Sequence, residues 1–145
     1  MHGMINRALQ SFVVGTYGPA VWQEICSVGN LPPGGFEAME HYDVRLTLDC
    51  IEATVDVLGK DAATVLEDIG TYLVTDPELE PLRRLLRFGG TTFAELLLSL
   101  DEMPERARLA LPDLTLPEIA LRPEGRGTYV ISTRWIVPGA ASLLM

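Results

Sequence analysis

The order of periodicities along this 145-residue chain predicts an α+β fold. Apolar positions recur at three- and four-residue spacing as far as the Leu111-Pro112 pair, and beyond Pro117 they alternate instead. Helices first and strands last is the pattern of α+β architecture. The length suits one domain with a core of its own, expected over residues 1–145.

Ile5, Leu9, Phe12 and Val13 mark the inner face of a first helix over residues 4–16. Gly18-Pro19 breaks it, and Pro19 suits a first helical position, where its missing N–H would be unpaired anyway. Val21, Trp22, Ile25 and Cys26 form the inner face of a second helix, and residues 30–35 form a Pro/Gly-rich loop. From Asp43 a stripe of Val44, Leu48, Ile51, Val55 and Leu58 predicts a third helix, closed by Gly59. Asp61 caps a fourth, with Val65, Leu66, Ile69, Tyr72 and Leu73 inside. Asp76-Pro77 opens another, ending at Gly89-Gly90.

Thr92 and Glu95 have capping-box spacing ahead of Leu96, Leu97 and Leu100. Ser99 and Glu102 repeat that spacing, with Asp101 as an alternative cap. Either choice puts Pro104 within or just past the first turn of the next helix, where a proline costs little. Ile119 and Leu121 then read as one strand, residues 122–127 as a turn, and residues 129–135 as a second strand. Two strands alone make a poor sheet. The chain also stops on an apolar run, WIVPGAASLLM, whose Pro138-Gly139 pair reads as a turn before another helix. The expectation is a chain truncated at its C-terminus, or one whose end is buried against a partner.

Composition narrows the function. A formal net charge of −9 repels phosphate backbones and offers no basic patch to anionic lipid, so neither a nucleic acid nor a membrane is the expected partner. The opening residues lack the basic and apolar regions of a signal peptide, and no apolar run approaches the roughly 20 residues that span a bilayer, so a cytoplasmic location is expected. Cys26 and Cys50 have no metal-binding spacing and read as buried free thiols. No nucleophile elbow, phosphate-cradling glycine loop or histidine–carboxylate helix motif is present, so the chain is not expected to be an enzyme. Glu78, Glu80, Glu95, Asp101, Glu102 and Glu105 are spread over helix starts, where acid complements the macrodipole, and read as solvated surface.

Several segments carry a further signal: HGMINRALQSFVVGTYGPAVW, HYDVRLTLDCIEATVDVLG, LEDIGTYLV, LRRLLRFGGTTFAELLLSLD and LDEMPERARLALPDLTLP. In this order they resemble H-NOX domains, the heme nitric oxide/oxygen sensors related to soluble guanylate cyclase. The resemblance implies a helical N-terminal part joined to C-terminal helices and an antiparallel sheet. It implies a sensory domain that binds heme or a similar tetrapyrrole in an apolar pocket and signals to a histidine kinase or cyclase-type partner. Ile5 matches a distal-side apolar residue of the family, and Pro117 the proline that presses on the porphyrin. Val130, Ser132 and Arg134 match the Tyr-x-Ser-x-Arg motif that grips the propionates, with Val130 in the tyrosine's place. Residues two apart on a strand share a face, so these three are expected to face one pocket; a solvated strand face is the alternative for Arg134.

The chain departs from the family at Pro104, which stands where the iron-binding histidine is expected. Its nitrogen is a tertiary amide with no lone pair for a metal, whereas a ferrous heme takes a neutral imidazole. The other donors are Met103, His2, His41 and Cys50. Met103, beside leucines at helical spacing, reads as core, and His41 as a surface or capping residue. Ser132 and Arg134 favour a heme sensor; Pro104 favours a heme-free descendant that binds proteins or another apolar ligand.

Overall fold

The N-terminal part consists of α1 (Gly3–Tyr17), α2 (Pro19–Val28), α3 (Val44–Leu58) and α4 (Ala62–Thr75) in a computed structural model that describes residues 1–79, 86 and 89–145. Each helix starts and stops on local chemistry. His2 Nδ1 accepts the Met4 N–H at 3.2 Å and caps α1. Pro19 opens α2 directly after Gly18. Asp43 and Asp61 accept backbone N–H groups at the heads of α3 and α4, and Gly59 closes α3 in the left-handed region at φ 63°.

The four helices share one core. Leu9, Phe12 and Val13 of α1 pack with Trp22 and Ile25 of α2 and with Val65, Leu66 and Ile69 of α4, all buried. The Phe12 ring meets Tyr17 and Tyr72 edge-on, with centroids 5.8 Å apart in both pairs. The apolar stripe expected on α3 is only half-buried at Leu48 and Val55; its deepest side chains are Thr47, Cys50 and Thr54. Two hydrogen bonds make that possible. The Thr47 hydroxyl donates to Asn6 Oδ1 at 2.7 Å, and the Thr54 hydroxyl to the Cys50 carbonyl at 2.7 Å. A threonine whose hydroxyl is bonded behaves as a small apolar residue, so the helix turns that face inward.

After a short 3-10 turn at Pro77–Leu79, the helix expected to end at Gly89-Gly90 lies for the most part outside the described residues. The chain continues through α5 (Phe93–Leu98), a 3-10 turn at Leu100–Glu102 and α6 (Met103–Ala110). Thr92 and Glu95 form the expected capping box. Ser99 and Glu102 do not: Ser99 turns its hydroxyl back to the Leu96 carbonyl, and Glu102 pairs with Arg106. Pro104 occupies the first turn of α6, as expected.

Strands β1 (Glu118–Gly125) and β2 (Thr128–Arg134) form an antiparallel hairpin. Its turn is tighter than expected. Arg126 (φ 52°) and Gly127 (φ 77°) both take positive φ, the geometry that matches the twist of two adjacent strands. Ile119 pairs with Thr133 and Leu121 with Ile131 on the half-buried face, whereas Glu118, Ala120, Ser132 and Arg134 are exposed on the other. A final 3-10 turn, Ala140–Leu144, packs on α4. It lies so close to Gly70 that a Cβ there would collide with the Leu143 carbonyl oxygen. Among the described residues no helix is long and apolar enough to cross a membrane.

Candidate functional site

The N-terminal core and the C-terminal elements meet around an apolar cavity of about 530 Å³. Ile5 and Leu9 of α1, Leu66 and Ile69 of α4, and Leu97, Leu100, Met103 and Pro117 from the C-terminal elements line it, together with Trp135 and Leu143. The helical stripes explain this lining. Parts of the apolar faces of α1, α3 and α4 reach the cavity, whereas α2 packs only in the core. No wall side chain among the described residues is charged; the polar ones are Thr47, Thr71 and the Trp135 indole. The size falls in the ordinary range of small-molecule sites.

Three residues singled out in the sequence meet here: Ile5, Met103 and Pro117. Pro104 is buried next to Met103 but does not reach the wall. Val130, Ser132 and Arg134 do share a strand face, but it is the outward one. Arg134 is 88% exposed and lies 3.7 Å from the Glu118 carboxylate across the hairpin. The reason is packing. Ile119, Leu121 and Ile131 occupy the opposite face, and burying them turns Ser132 and Arg134 to solvent.

The remaining donors also lie away from the wall. His2 is buried as the α1 cap with its ring edge-on to exposed His41, the centroids 5.1 Å apart. Cys50 is buried in the helical core, where loss of solvation pushes its thiol up to about 12, with a smaller contribution from Cys26. Such a thiol stays protonated and inert at neutral pH. A smaller depression of about 290 Å³ beside α2 and α3 is lined by Asp49, Glu52 and Asp56, and Arg45 pairs with the first two.

Two wall features were missed in the sequence. Trp135 belongs to the inward parity of β2, opposite to Arg134; the excess of apolar residues at 119, 121, 131 and 135 over 118, 120, 132 and 134 was the available signal. Gly70 interrupts the apolar stripe of α4, and nothing local announces the backbone contact it permits.

The family model for haem-NO-binding domains matches residues 2–134. The chain belongs to the haem-NO-binding family. Among its relatives, it is 26% identical over 126 residues to soluble guanylate cyclase gcy-31 of Caenorhabditis elegans, a match that covers 87% of this chain and 18% of that protein. The chain thus spans about a fifth of the length of this relative. Solved structures share the fold. The Fe(II) unliganded H-NOX protein from K. algicida superposes with a TM-score of 0.76 at 16% identity, over 94% of this chain and 74% of that one. The H-NOX protein from S. oneidensis in its Fe(II)NO state gives 0.76 at 16% identity, over 99% and 79%. The H-NOX-like α+β fold and the sensory-domain reading of the sequence therefore hold.

The residues of this haem-NO-binding domain fit one part of a heme and not another. A wall of aliphatic side chains suits the flat apolar body of a tetrapyrrole. No imidazole or thiolate reaches that wall, Pro104 has no nitrogen to give, and no cluster of metal-binding side chains occurs among the described residues. A metal bond from the chain at the usual proximal position is absent from its chemistry.

Proposed function

We propose that this domain is an occupancy sensor: it takes a planar apolar ligand of the tetrapyrrole class into the cavity and signals that occupancy to a histidine kinase or cyclase-type partner. The observation that carries this reading is the uncharged, largely aliphatic cavity of about 530 Å³, lined by Ile5, Met103 and Pro117 among others, at the seam between the helical core and the C-terminal elements. Binding energy comes from burial of apolar surface, at about 25 cal/mol per Å² before the costs of association. With Pro104 in place of a metal-binding residue, the iron contributes nothing through that position. The signal is then a shift in population between occupied and empty forms. Ser132 and Arg134, exposed on the outer face of the hairpin, take no part in holding the ligand in this reading.

Titration with hemin and with metal-free protoporphyrin IX, followed by absorbance, tests the proposal. Saturable binding of both with affinities within about threefold is expected, since apolar contact dominates in each. Pro104→His introduces an imidazole one residue from the wall and is expected to favour hemin over the metal-free ring and to produce a histidine-type ferrous spectrum. Linear mixing curves for both tetrapyrroles with the unaltered protein would overturn the reading.

A second reading rests on a separate observation. Leu109 of α6 is 88% exposed and takes no part in lining the cavity. A domain that docks a protein partner without any ligand would use such residues. Loss of partner capture on Leu109→Ser, at unchanged tetrapyrrole affinity, is what that reading expects.

A further inference from the structure

We infer that the occupant of the cavity sits with its polar edge at a mouth between α4 and the head of α5, where the Thr71 hydroxyl positions it; this rests on the reading of the cavity as a ligand site. The wall is graded in exposure. Leu66, Ile69 and Leu97 line it and are buried. Val74 of α4 and Phe93, the first residue of α5, line it as well, yet they are 45% and 73% exposed. A side chain that belongs to a cavity and also stands in water marks the place where the cavity opens. Thr71 lies three residues before Val74 and so neighbours it on the helix surface. It lines the cavity and is exposed too.

Of the polar side chains on the wall among the described residues, Thr71 is the one open to a ligand. Thr47 is fully buried and gives its proton to Asn6 Oδ1, and the Trp135 indole nitrogen is sealed from solvent. Thr54 and Thr75 turn their hydroxyls back to the carbonyl one turn earlier, at 2.7 Å in each case. The Thr71 hydroxyl makes no such bond among the described residues. It keeps a donor and an acceptor for a group that arrives in the cavity.

Solvation then sets the orientation. An ionised carboxylate pressed against Leu66, Ile69 and Leu97 loses its water and gains no partner from them, a cost that apolar contact does not offset. At the mouth it keeps its water and meets a hydroxyl. The hairpin offers no rival grip, because Ser132 and Arg134 stand on its outer face, Arg134 at 3.7 Å from Glu118. A flat ring whose carboxylates lie along one edge, as in protoporphyrin IX, therefore enters bare edge first and leaves its acid edge beside Thr71.

Charge placed at residue 71 tests this. Thr71→Arg and Thr71→Glu, with Ser132→Arg as the control on the outer hairpin face, are titrated at low salt with protoporphyrin IX and with its uncharged dimethyl ester. Thr71→Arg is expected to bind the diacid about fivefold more tightly than the parent and Thr71→Glu about fivefold more weakly, the size of an exposed ion pair. The ester stays within about twofold in both, and Ser132→Arg moves neither probe by more than that. Thr71→Val, which deletes the hydroxyl and keeps the shape, weakens the diacid about threefold. The position is exposed and helical, and arginine and glutamate form helix better than threonine, so the fold is retained. Diacid affinity that ignores the charge at residue 71, or responds more to Ser132→Arg, overturns the inference and leaves the cavity reading in place. A shift of the ester as large as that of the diacid also overturns it, because the side chain then acts through shape. Failure of the parent protein to bind either ring saturably overturns the tetrapyrrole reading and the inference with it.

Discussion

The helical N-terminal part and the C-terminal hairpin spend their apolar residues in opposite ways. In α1–α4 the large side chains meet one another: Phe12, Ile25 and Val65 are almost fully buried, and polar members such as Thr47 and Thr54 are bonded. In the hairpin Ile119 and Ile131 are only half-buried, and the outer face carries Glu118, Ser132 and Arg134 in water. One region is a core in the sense that its contacts are mutual. The other is a wall, whose inner face borders a cavity. The difference teaches that mutual packing and cavity wall are separated in space: the first resides in the helices, the second along their seam with the hairpin.

The sharpest way to break that comparison is to damage each region equally. Phe12→Ala is expected to cost about 3–5 kcal/mol in denaturant unfolding, because it opens a hole beneath two tyrosines, whereas Ile131→Ala should cost under about 2 kcal/mol. Similar losses would mean that the hairpin is as much core as the helices. Gly70→Ala probes the seam itself. Its new methyl group meets the Leu143 main chain, and a destabilisation of about 1–3 kcal/mol is expected, reduced by the better helix propensity of alanine.

Alkaline pH sharpens the contrast from the helical side. Cys50 is held protonated in the fold, its thiol raised from 9.0 to about 12 by burial. Its contribution to stability is whole below pH 9.0 and is lost as pH rises toward about 12, because only the unfolded chain releases the proton in that window. Chemical denaturation at pH 8 and pH 10.5 should show a fall of roughly 1.4 kcal/mol per unit above pH 9.0 in the parent protein, and a smaller slope in Cys50→Ala. Identical slopes would show that the thiol is not shielded. The smallest effect belongs to the outer hairpin face. Arg134→Ala removes a solvent-screened ion pair and is expected to change stability by less than about 0.5 kcal/mol and to leave tetrapyrrole affinity unaltered. A marked loss of affinity would put Arg134 at the ligand's edge and reverse the orientation argued for β2.

Much of this was legible in the sequence because it is locally determined. Asp61 and the Thr92–Glu95 pair announce their helices through bonds made within one turn, and Gly18-Pro19 and Gly59 end theirs through backbone geometry. The cavity-lining roles of Ile5, Met103 and Pro117 came from family resemblance, and the cavity gathers all three. What stayed open was a question of sign. Alternation states which residues of β2 share a face, but the side that faces inward is settled by the partner strand, and Ile119 and Leu121 decided against Arg134. The buried threonines of α3 were hidden for a related reason. Thr47 is acceptable inside only because Asn6, 41 residues earlier, supplies the acceptor.

The close approach at Gly70 makes α4 and the last turn of the chain touch main chain to main chain. Side chains absorb displacement by changing rotamer; peptide groups have no such freedom. With no side chain between them, α4 and the Ala140–Leu144 turn share a contact that a change of rotamer cannot loosen, and both line the same cavity, through Leu66 and Ile69 on one element and Leu143 and Leu144 on the other.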